Sequence, residues 1–170
     1  MSDGSDYTKE GRLSRLSVVL LRTREASNIG AVARVMANFG IRNATLVAPR
    51  CDSSCVDARE NATGSGAVTL ATMRVVKSFK ELASENHILV AVTTSMPVDS
   101  ALVLSYVDVV GKLQNVSVSL VFGPEETGLS ETDLKHCSHV LRLPVAECAT
   151  NLNLSHAVGI VLSRFFEETL

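Results

Sequence analysis

The stretch HILVAV, residues 87–92, is apolar at five of its six positions, and VSLVF, residues 118–122, is apolar at four of five. Both are rich in β-branched side chains, which favour strands. A strand with one solvated face alternates apolar and polar residues, whereas a strand covered on both faces is apolar nearly throughout. The two stretches therefore predict an α/β protein with a parallel sheet that is flanked by helices on both faces.

The rest of the chain alternates between short strand patterns and helical patterns. We predict strands at residues 17–21, 44–47, 88–92, 116–122 and 140–143. We predict helices at residues 29–39, 56–63, 79–84, 105–113 and 154–168, of which the last has an apolar stripe of helical period. Because no repeat or interdomain linker interrupts this pattern, we expect a flexible tail, residues 1–14, followed by a single domain, residues 15–170.

Composition excludes some classes of protein. No apolar run approaches the roughly 20 residues that a membrane-spanning helix needs, and the opening stretch MSDGSDYTKEGR is polar rather than a secretory signal. We therefore expect a cytoplasmic protein. A net charge of −2 argues against coating nucleic acid by charge alone. Residues 1–50 nevertheless carry eight Lys/Arg against four acids, which is either a solvated face or a phosphate-binding patch.

The cysteines and histidines do not have the spacing of a metal site. The cysteines include no CxxC pair, and His136 and His139 span a predicted junction between a helix and a strand without a cysteine at ligand spacing. A disulfide framework is not supported either, because the chain shows no secretory signal. We therefore predict no bound metal and reduced thiols at Cys51, Cys55, Cys137 and Cys148.

Segments rich in Gly, Pro, Asn, Thr and Glu follow four of the predicted strands. They are RTREASN (residues 22–28), TTSMP (93–97), GPEETG (123–128) and PVAECATNLN (144–153). Ligands bind at the carboxyl edge of open parallel sheets, where loops vary over a rigid base. These segments are therefore the candidates for a site, although every α/β protein has loops at this edge.

The segment GPEETG combines two glycines with two adjacent carboxylates. Gly123 and Gly128 permit a backbone conformation or a close approach that other residues do not. Glu125 and Glu126 either lie in a solvated turn, or one of them is held over the sheet edge. Ser130 is a candidate cap for the helix that follows.

Two predicted helices also carry polar candidate residues. Asn151 and Asn153 precede the final helix, either as caps or as ligand contacts. Arg34 lies on the polar side of an earlier helix, and Gly30, one turn before it, is expected to leave open surface there. The stretch GSGAVT, residues 64–69, lacks the third glycine and the strand-to-helix placement of a dinucleotide-binding loop, so we assign it no phosphate.

Three of these segments together resemble a known family. SNIGAVARVMANFG (residues 27–40), LVFGPEETGLS (120–130) and LRLPVAECATNLNLSHAVGIVL (141–162) are similar, in order and spacing, to the three motifs of the SpoU-TrmH group of SPOUT RNA methyltransferases. Within that group the chain is most similar to the TrmJ-type tRNA enzymes. The resemblance extends over residues 16–170, which is nearly the whole chain.

The resemblance implies methyl transfer from S-adenosyl-L-methionine to a ribose 2'-hydroxyl of RNA. It favours tRNA, at nucleotide 32 of the anticodon loop, with rRNA as the alternative substrate and a non-catalytic RNA-binding relative as the alternative function. Members of the group have a parallel sheet of five or six strands and a deep trefoil knot in the C-terminal part. They work as homodimers.

The resemblance also implies roles for particular residues. The catalytic positions of the family match Asn28, Arg34, Glu125 and Asn153. Its cofactor-binding positions match Thr93, Thr94, Ser95, Gly123, Leu143, Pro144, Asn151 and Leu152. For contact with RNA we add the basic residues of the N-terminal third, Arg12, Arg15, Arg22 and Arg24.

Chemistry limits what Arg34 can do. A guanidinium stays protonated in proteins, so Arg34 is suited to donate hydrogen bonds to the 2'-oxygen or to the adjacent phosphate. A phosphate, a water or Glu125 would then accept the proton. The family commonly has serine where this chain has Asn151, so a hydroxyl role does not transfer to that position. A non-catalytic relative would be expected to lack Arg34 or Glu125, and both are present.

Overall fold

The computed structural model describes residues 13–85, 88–94, 103–112, 116–146 and 152–169. Within them the strands form one parallel sheet in the order β3-β2-β1-β6-β4-β7-β5. The strands are β1 (Leu16–Leu21), β2 (Asn43–Val47), β3 (Arg74–Val76), β4 (Ile88–Thr93), β5 (Val103–Leu104), β6 (Val118–Phe122) and β7 (His139–Arg142). The predicted α/β class with a parallel sheet is therefore confirmed.

Helices cover both faces of the sheet. They are α1 (Ala26–Asn38), α2 (Val56–Asn61), α3 (Gly66–Ala71), α4 (Phe79–Ala83), α5 (Tyr106–Lys112), α6 (Glu131–Leu134) and α7 (Leu154–Glu168). Successive residues of β1 face opposite sides, as the pleat of a strand requires. Val18 and Leu20 pack with α1, α5 and α7, whereas Val19 and Leu21 pack with Phe79 and Leu82 of α4.

Burial explains why the central strands are so apolar. All five residues of β6 are buried, including one polar residue, Ser119. Its hydroxyl lies 2.7 Å from the hydroxyl of Ser17, its register partner on β1, so the two polar groups satisfy each other inside the core. The prediction that the second opening stretch is covered on both faces is confirmed.

The sheet has seven strands in the described residues, not the predicted five or six. The additional strands, β3 and β5, have three and two residues and lie at the two edges of the sheet. Two residues of β3, Arg74 and Val75, are exposed. Strands of two or three residues are too short to carry a periodic pattern, so they could not be predicted from the sequence.

Other predictions concern the ends of the domain. Leu13 lies in the core and the carbonyl of Ser14 accepts a hydrogen bond from Asn43 Nδ2 at 3.0 Å, so packing already includes two residues of the predicted tail. The predicted knot depends on the path between β7 and α7, and residues 147–151 of that path lie outside the described residues. The knot therefore stays a prediction.

Candidate active site

The loops that follow β1, β6 and β7 meet at the carboxyl edge of the sheet. Their side chains form a connected group, which we call the amide–carboxylate triad: Asn28, Glu125 and Asn153. Asn28 Nδ2 donates to Glu125 Oε1 at 3.1 Å, and Asn153 Nδ2 donates to Asn28 Oδ1 at 3.0 Å. Glu125 and Asn153 follow Asn28 by 97 and 125 residues in the sequence. The fold therefore brings together three of the four predicted catalytic positions.

Asn153 holds its place because it also caps a helix. Its Oδ1 accepts hydrogen bonds from the backbone N–H of Ser155 at 2.9 Å and of His156 at 3.4 Å at the start of α7. This leaves the amide nitrogen directed at Asn28. Of the two interpretations left open for an asparagine here, the cap is confirmed for Asn153, and its role in the site stays a prediction.

Glu125 is held by the loop between β1 and α1. Its Oε1 accepts from the backbone N–H of Glu25 at 3.4 Å and its Oε2 accepts from the backbone N–H of Arg24 at 3.3 Å, in addition to the bond from Asn28. Both carboxylate oxygens are thus engaged. Of the two alternatives for the GPEETG segment, the carboxylate held over the sheet edge is the one that the structure shows.

The glycines of this segment act in the predicted ways. Gly128 has φ +65°, a conformation that favours glycine, and its N–H donates to the carbonyl of Pro124 at 2.8 Å to close the turn. Gly123 packs directly against the backbone of Gly128 and Leu129, where a Cβ would not fit. Ser130 caps α6 as predicted, although the helix starts at Glu131.

A cavity of about 250 Å³ lies beside the triad, close to the lower end of the range of roughly 300–1,000 Å³ typical of ligand sites. Five predicted cofactor-binding residues line it: Thr93, Thr94, Gly123, Leu143 and Leu152. Pro144 is exposed and is not among the lining residues, and Ser95 and Asn151 lie outside the described residues.

Part of the lining was not predicted from the sequence. Apolar residues at the ends of strands and at the start of α7 complete the wall: Val92, Phe122, Val145, Leu154 and Ala157. The available signal was their position at the strand ends next to the candidate loops. A lining that combines these apolar side chains with polar residues such as Thr93 and Thr94 fits a nucleoside-like cofactor, which needs both apolar cover and polar contacts.

Arg34 does not join the triad within one chain. It lies six residues after Asn28 on α1, about 9 Å along the helix and about a third of a turn round it. Its side chain is exposed, and among the described residues no hydrogen bond or ion pair reaches its guanidinium. Gly66 of α3 packs against the Arg34 backbone, where a Cβ would lie 2.7 Å from Arg34 Cα.

The expectation about Gly30 is wrong. Gly30 is buried, and a Cβ there would collide with the backbone carbonyl of Ala58 in α2. The glycine therefore allows two helices to pack closely and leaves no open surface beside Arg34. The GSGAVT segment likewise supplies the start of α3 and the contact of Gly66 with α1.

The predicted RNA-binding arginines do not form one patch. Arg15 precedes β1 and Arg22 follows it, so Arg15 lies at the amino end of this strand and Arg22 at its carboxyl end. Arg22 forms a bidentate ion pair with Asp133, and Arg24 donates to Glu126 Oε2 at 2.8 Å. Arg12 lies outside the described residues.

The pKa shifts of groups near the site follow from their burial and from neighbouring charges and hydrogen bonds. Burial of Asp133 raises the pKa of its carboxyl, but hydrogen bonds from Arg22 and Ser130 outweigh it, so the pKa lies below its ordinary value. Burial and the Asp133 charge raise the pKa of Cys137 to about 12. Burial also raises the pKa of Cys51, and the charge of Glu125 adds to that effect.

Three of the four cysteines lie among the described residues. Cys51, Cys55 and Cys137 carry free thiols, and Cys148 lies outside the described residues. No group of three His, Cys, Asp or Glu residues in the described ranges is arranged to hold a metal ion. In the same ranges, no helix has the length and apolar character to cross a membrane.

The protein is an open α/β protein with a cavity and the amide–carboxylate triad at the carboxyl edge of its parallel sheet. This edge is where open α/β sheets bind ligands. The particular family follows from sequence comparison. The chain belongs to the SpoU rRNA Methylase family, whose profile matches residues 15–163.

The individual relatives are RNA methyltransferases. An uncharacterized tRNA/rRNA methyltransferase of Haemophilus influenzae is 28% identical over 152 residues, which are 88% of this chain and 61% of the relative. The tRNA (cytidine-2'-O-)-methyltransferase TrmJ of Methanocaldococcus jannaschii is 26% identical over 164 residues, 90% of this chain and 68% of the relative. The crystal structure of TrmJ from Z. mobilis has a TM-score of 0.79 at 28% identity, covering 89% of this chain and 69% of that one. The chain thus spans about two thirds of the length of the relatives it matches.

Proposed function

We propose that this protein transfers a methyl group from S-adenosyl-L-methionine to a ribose 2'-hydroxyl of tRNA. The observation that carries the proposal is the amide–carboxylate triad beside the cavity at the carboxyl edge, in a chain of the SpoU rRNA Methylase family. The names of the relatives favour the substrate class. The TrmJ relative from Methanocaldococcus jannaschii is named as a tRNA (cytidine-2'-O-)-methyltransferase.

The residues divide the work between positioning and charge stabilisation. When bound, S-adenosylmethionine supplies an electrophilic methyl group on a sulfonium. Thr93, Thr94 and Gly123 would hold its polar groups, and Leu143 and Leu152 would cover its apolar faces. Positioning two reactants in line supplies much of the acceleration of such a transfer.

Glu125 fits the role of an orienting group better than that of a general base. Its two oxygens accept three hydrogen bonds, from Arg24, Glu25 and Asn28, and protonation would weaken them because a neutral carboxyl is a poorer acceptor than a carboxylate. The bond to Asn28 orients the amide that faces the ribose. We therefore assign proton acceptance to a phosphate oxygen of the RNA or to a water.

Arg34 would stabilise the charge that develops on the attacking oxygen. Its guanidinium is exposed and carries no ion pair among the described residues, so it is available to an RNA ligand. Arg24 remains a candidate for RNA contact, since its pair with Glu126 is exposed, with side chains 46% and 68% accessible. Arg22 is not, because Asp133 occupies its guanidinium.

We also infer a homodimer. α7 packs against α1, and Ile160 on the outer face of α7 is 46% exposed, which offers an apolar contact to a second copy of the chain. Light scattering after gel filtration should give twice the chain mass for the wild type and the monomer mass for Ile160→Arg. A wild-type monomer would contradict the inference.

The activity is tested with methyl-labelled S-adenosylmethionine and tRNA from a strain that lacks the matching modification. Label in the tRNA, recovered by mass spectrometry as a 2'-O-methylated nucleoside, is the expected result, and digestion fragments test cytidine at position 32 first. Label in rRNA instead would favour the alternative substrate. Binding of tRNA without any transfer of label would favour a non-catalytic relative.

A further inference from the structure

Arg22 and Asp133 form an ion pair that joins two loops of the site. Arg22 Nη1 donates to Asp133 Oδ1 at 3.1 Å, and Nη2 donates to Oδ2 at 2.6 Å, across 111 residues of sequence. The side chains are 28% and 7% accessible. Two parallel hydrogen bonds fix orientation as well as distance, and partial burial shields the pair from solvent.

Asp133 also takes part in the cap of α6, the helix that follows the GPEETG loop. Its Oδ2 accepts from the backbone N–H of Ser130 at 2.9 Å and from its hydroxyl at 2.7 Å, and Ser130 Oγ accepts from the Asp133 N–H at 3.2 Å. This capping box fixes the start of α6, immediately after the loop at residues 123–129 that lines the cavity. One carboxylate therefore connects the loop to Arg22.

Arg22 in turn belongs to a segment that is fixed from the other side. Its N–H donates to the carbonyl of Val47 at 2.8 Å, and the carbonyl of Thr23 accepts from the Arg50 N–H at 2.8 Å. Arg22 has φ +50°, a conformation that residues other than glycine rarely adopt. The end of β1 is thus held by its neighbour β2 and offers a rigid support.

We propose that the Arg22–Asp133 pair is a positioning device that holds the loop at residues 123–129 against the end of β1. The proposal rests on the proposed function. Held in this way, Glu125 meets the N–H groups of Arg24 and Glu25, and Gly123 stays in the wall of the cavity. Without the pair, the hydrogen bond between Gly128 and Pro124 would still close the turn, but the loop would no longer be fixed beside the start of α1. The lining of the cavity and the hydrogen bonds of the triad would then both become less ordered.

The test compares Arg22→Met with Arg74→Met. Arg74 forms a bidentate pair with Glu85 that is also partly accessible but lies away from the cavity, which makes it a matched control. We expect Arg22→Met to raise the Kd for S-adenosylhomocysteine, measured by calorimetry, about tenfold and to raise KM for the cofactor more than it lowers kcat. Arg22→Lys should recover part of the loss, and Arg74→Met should bind within twofold of wild type.

Asp133→Asn and the double variant separate the pair from general stability. If the two residues act as one device, Arg22→Met combined with Asp133→Asn binds no more weakly than Asp133→Asn alone. Additive losses would overturn the proposal, as would normal binding by a folded Arg22→Met, or an equal loss in Arg74→Met.

Hydrogen exchange keeps this test separate from the proposed function. If the wild type binds no S-adenosylhomocysteine, the proposed function fails, but the positioning claim can still be measured. Amides of residues 123–130 should then exchange faster in Arg22→Met than in wild type or Arg74→Met. Equal exchange in all three proteins would overturn it.

Discussion

The two ends of the sheet show that the size of a cavity does not identify the site. At the amino end, a groove of about 690 Å³ is lined by residues from two short parts of the chain, residues 37–45 and 65–74. At the carboxyl end the cavity is smaller, about 250 Å³, but its surroundings join loops about a hundred residues apart through side-chain hydrogen bonds. These side-chain hydrogen bonds between distant loops distinguish the carboxyl-end cavity from the larger groove.

The largest effect should separate Arg34 from Arg42, which lines the amino-end groove. Arg34→Ala should lower kcat for tRNA methylation by about 100-fold or more, because it removes the donor to the developing charge. Arg42→Ala should stay within twofold of wild type. Rates under saturating cofactor measure both, and an active Arg34→Ala would remove this residue from the site.

The next effect concerns Glu125. Glu125→Gln cannot accept hydrogen bonds on both terminal atoms, so we expect kcat to fall by about tenfold or more as Asn28 loses its orientation. Because Glu125 orients rather than accepts the proton, the shape of the pH–rate profile should be unchanged. Loss of the acidic limb in Glu125→Gln would instead identify it as the base.

Two substitutions of Asn153 separate its role as the cap of α7 from its hydrogen bond to Asn28. Asn153→Ala removes both functions, and we expect it to lose about 1 kcal/mol of stability in addition to activity. Asn153→Asp keeps the cap of α7 but cannot donate to Asn28, so it should retain the wild-type Tm while kcat falls about tenfold. Equal activity of Asn153→Asp and wild type would show that the bond to Asn28 is dispensable.

The smallest effect is a pH dependence of stability. Because the pKa of Asp133 is lower in the folded protein, its contribution is fully present above the unfolded value of about 4 and is lost as pH falls through the folded value. Arg22→Met should therefore have a Tm further below wild type at pH 6 than at pH 3. A difference that is constant between these pH values would contradict this assignment.

The same contrast explains what could be predicted from sequence. Helix α7 has the predicted bounds because its apolar stripe is long and periodic, and the central strands were visible because burial on both faces makes them uniformly apolar. The edge strands β3 and β5 were missed because strands of three and two residues are too short to carry such a pattern.

Contacts within the site were less predictable than its residues. Asn28, Glu125 and Asn153 were chosen from motif resemblance, but which oxygen meets which amide depends on loops that only the folded sheet brings together. The S-x-x-D spacing of Ser130 and Asp133 was a readable capping signal. Its long-range partner, Arg22, was not, and charge counting assigned that residue to RNA.

The most direct test of the account is the footprint of S-adenosylhomocysteine on the wild-type protein, measured by hydrogen exchange. We predict slower exchange at residues 93–94, 123–129 and 143–146 and at Leu152, with no change in residues 37–45 and 65–74 around the larger groove. Protection confined to the amino-end groove, or to neither end, would contradict the assignment of the site to the carboxyl edge.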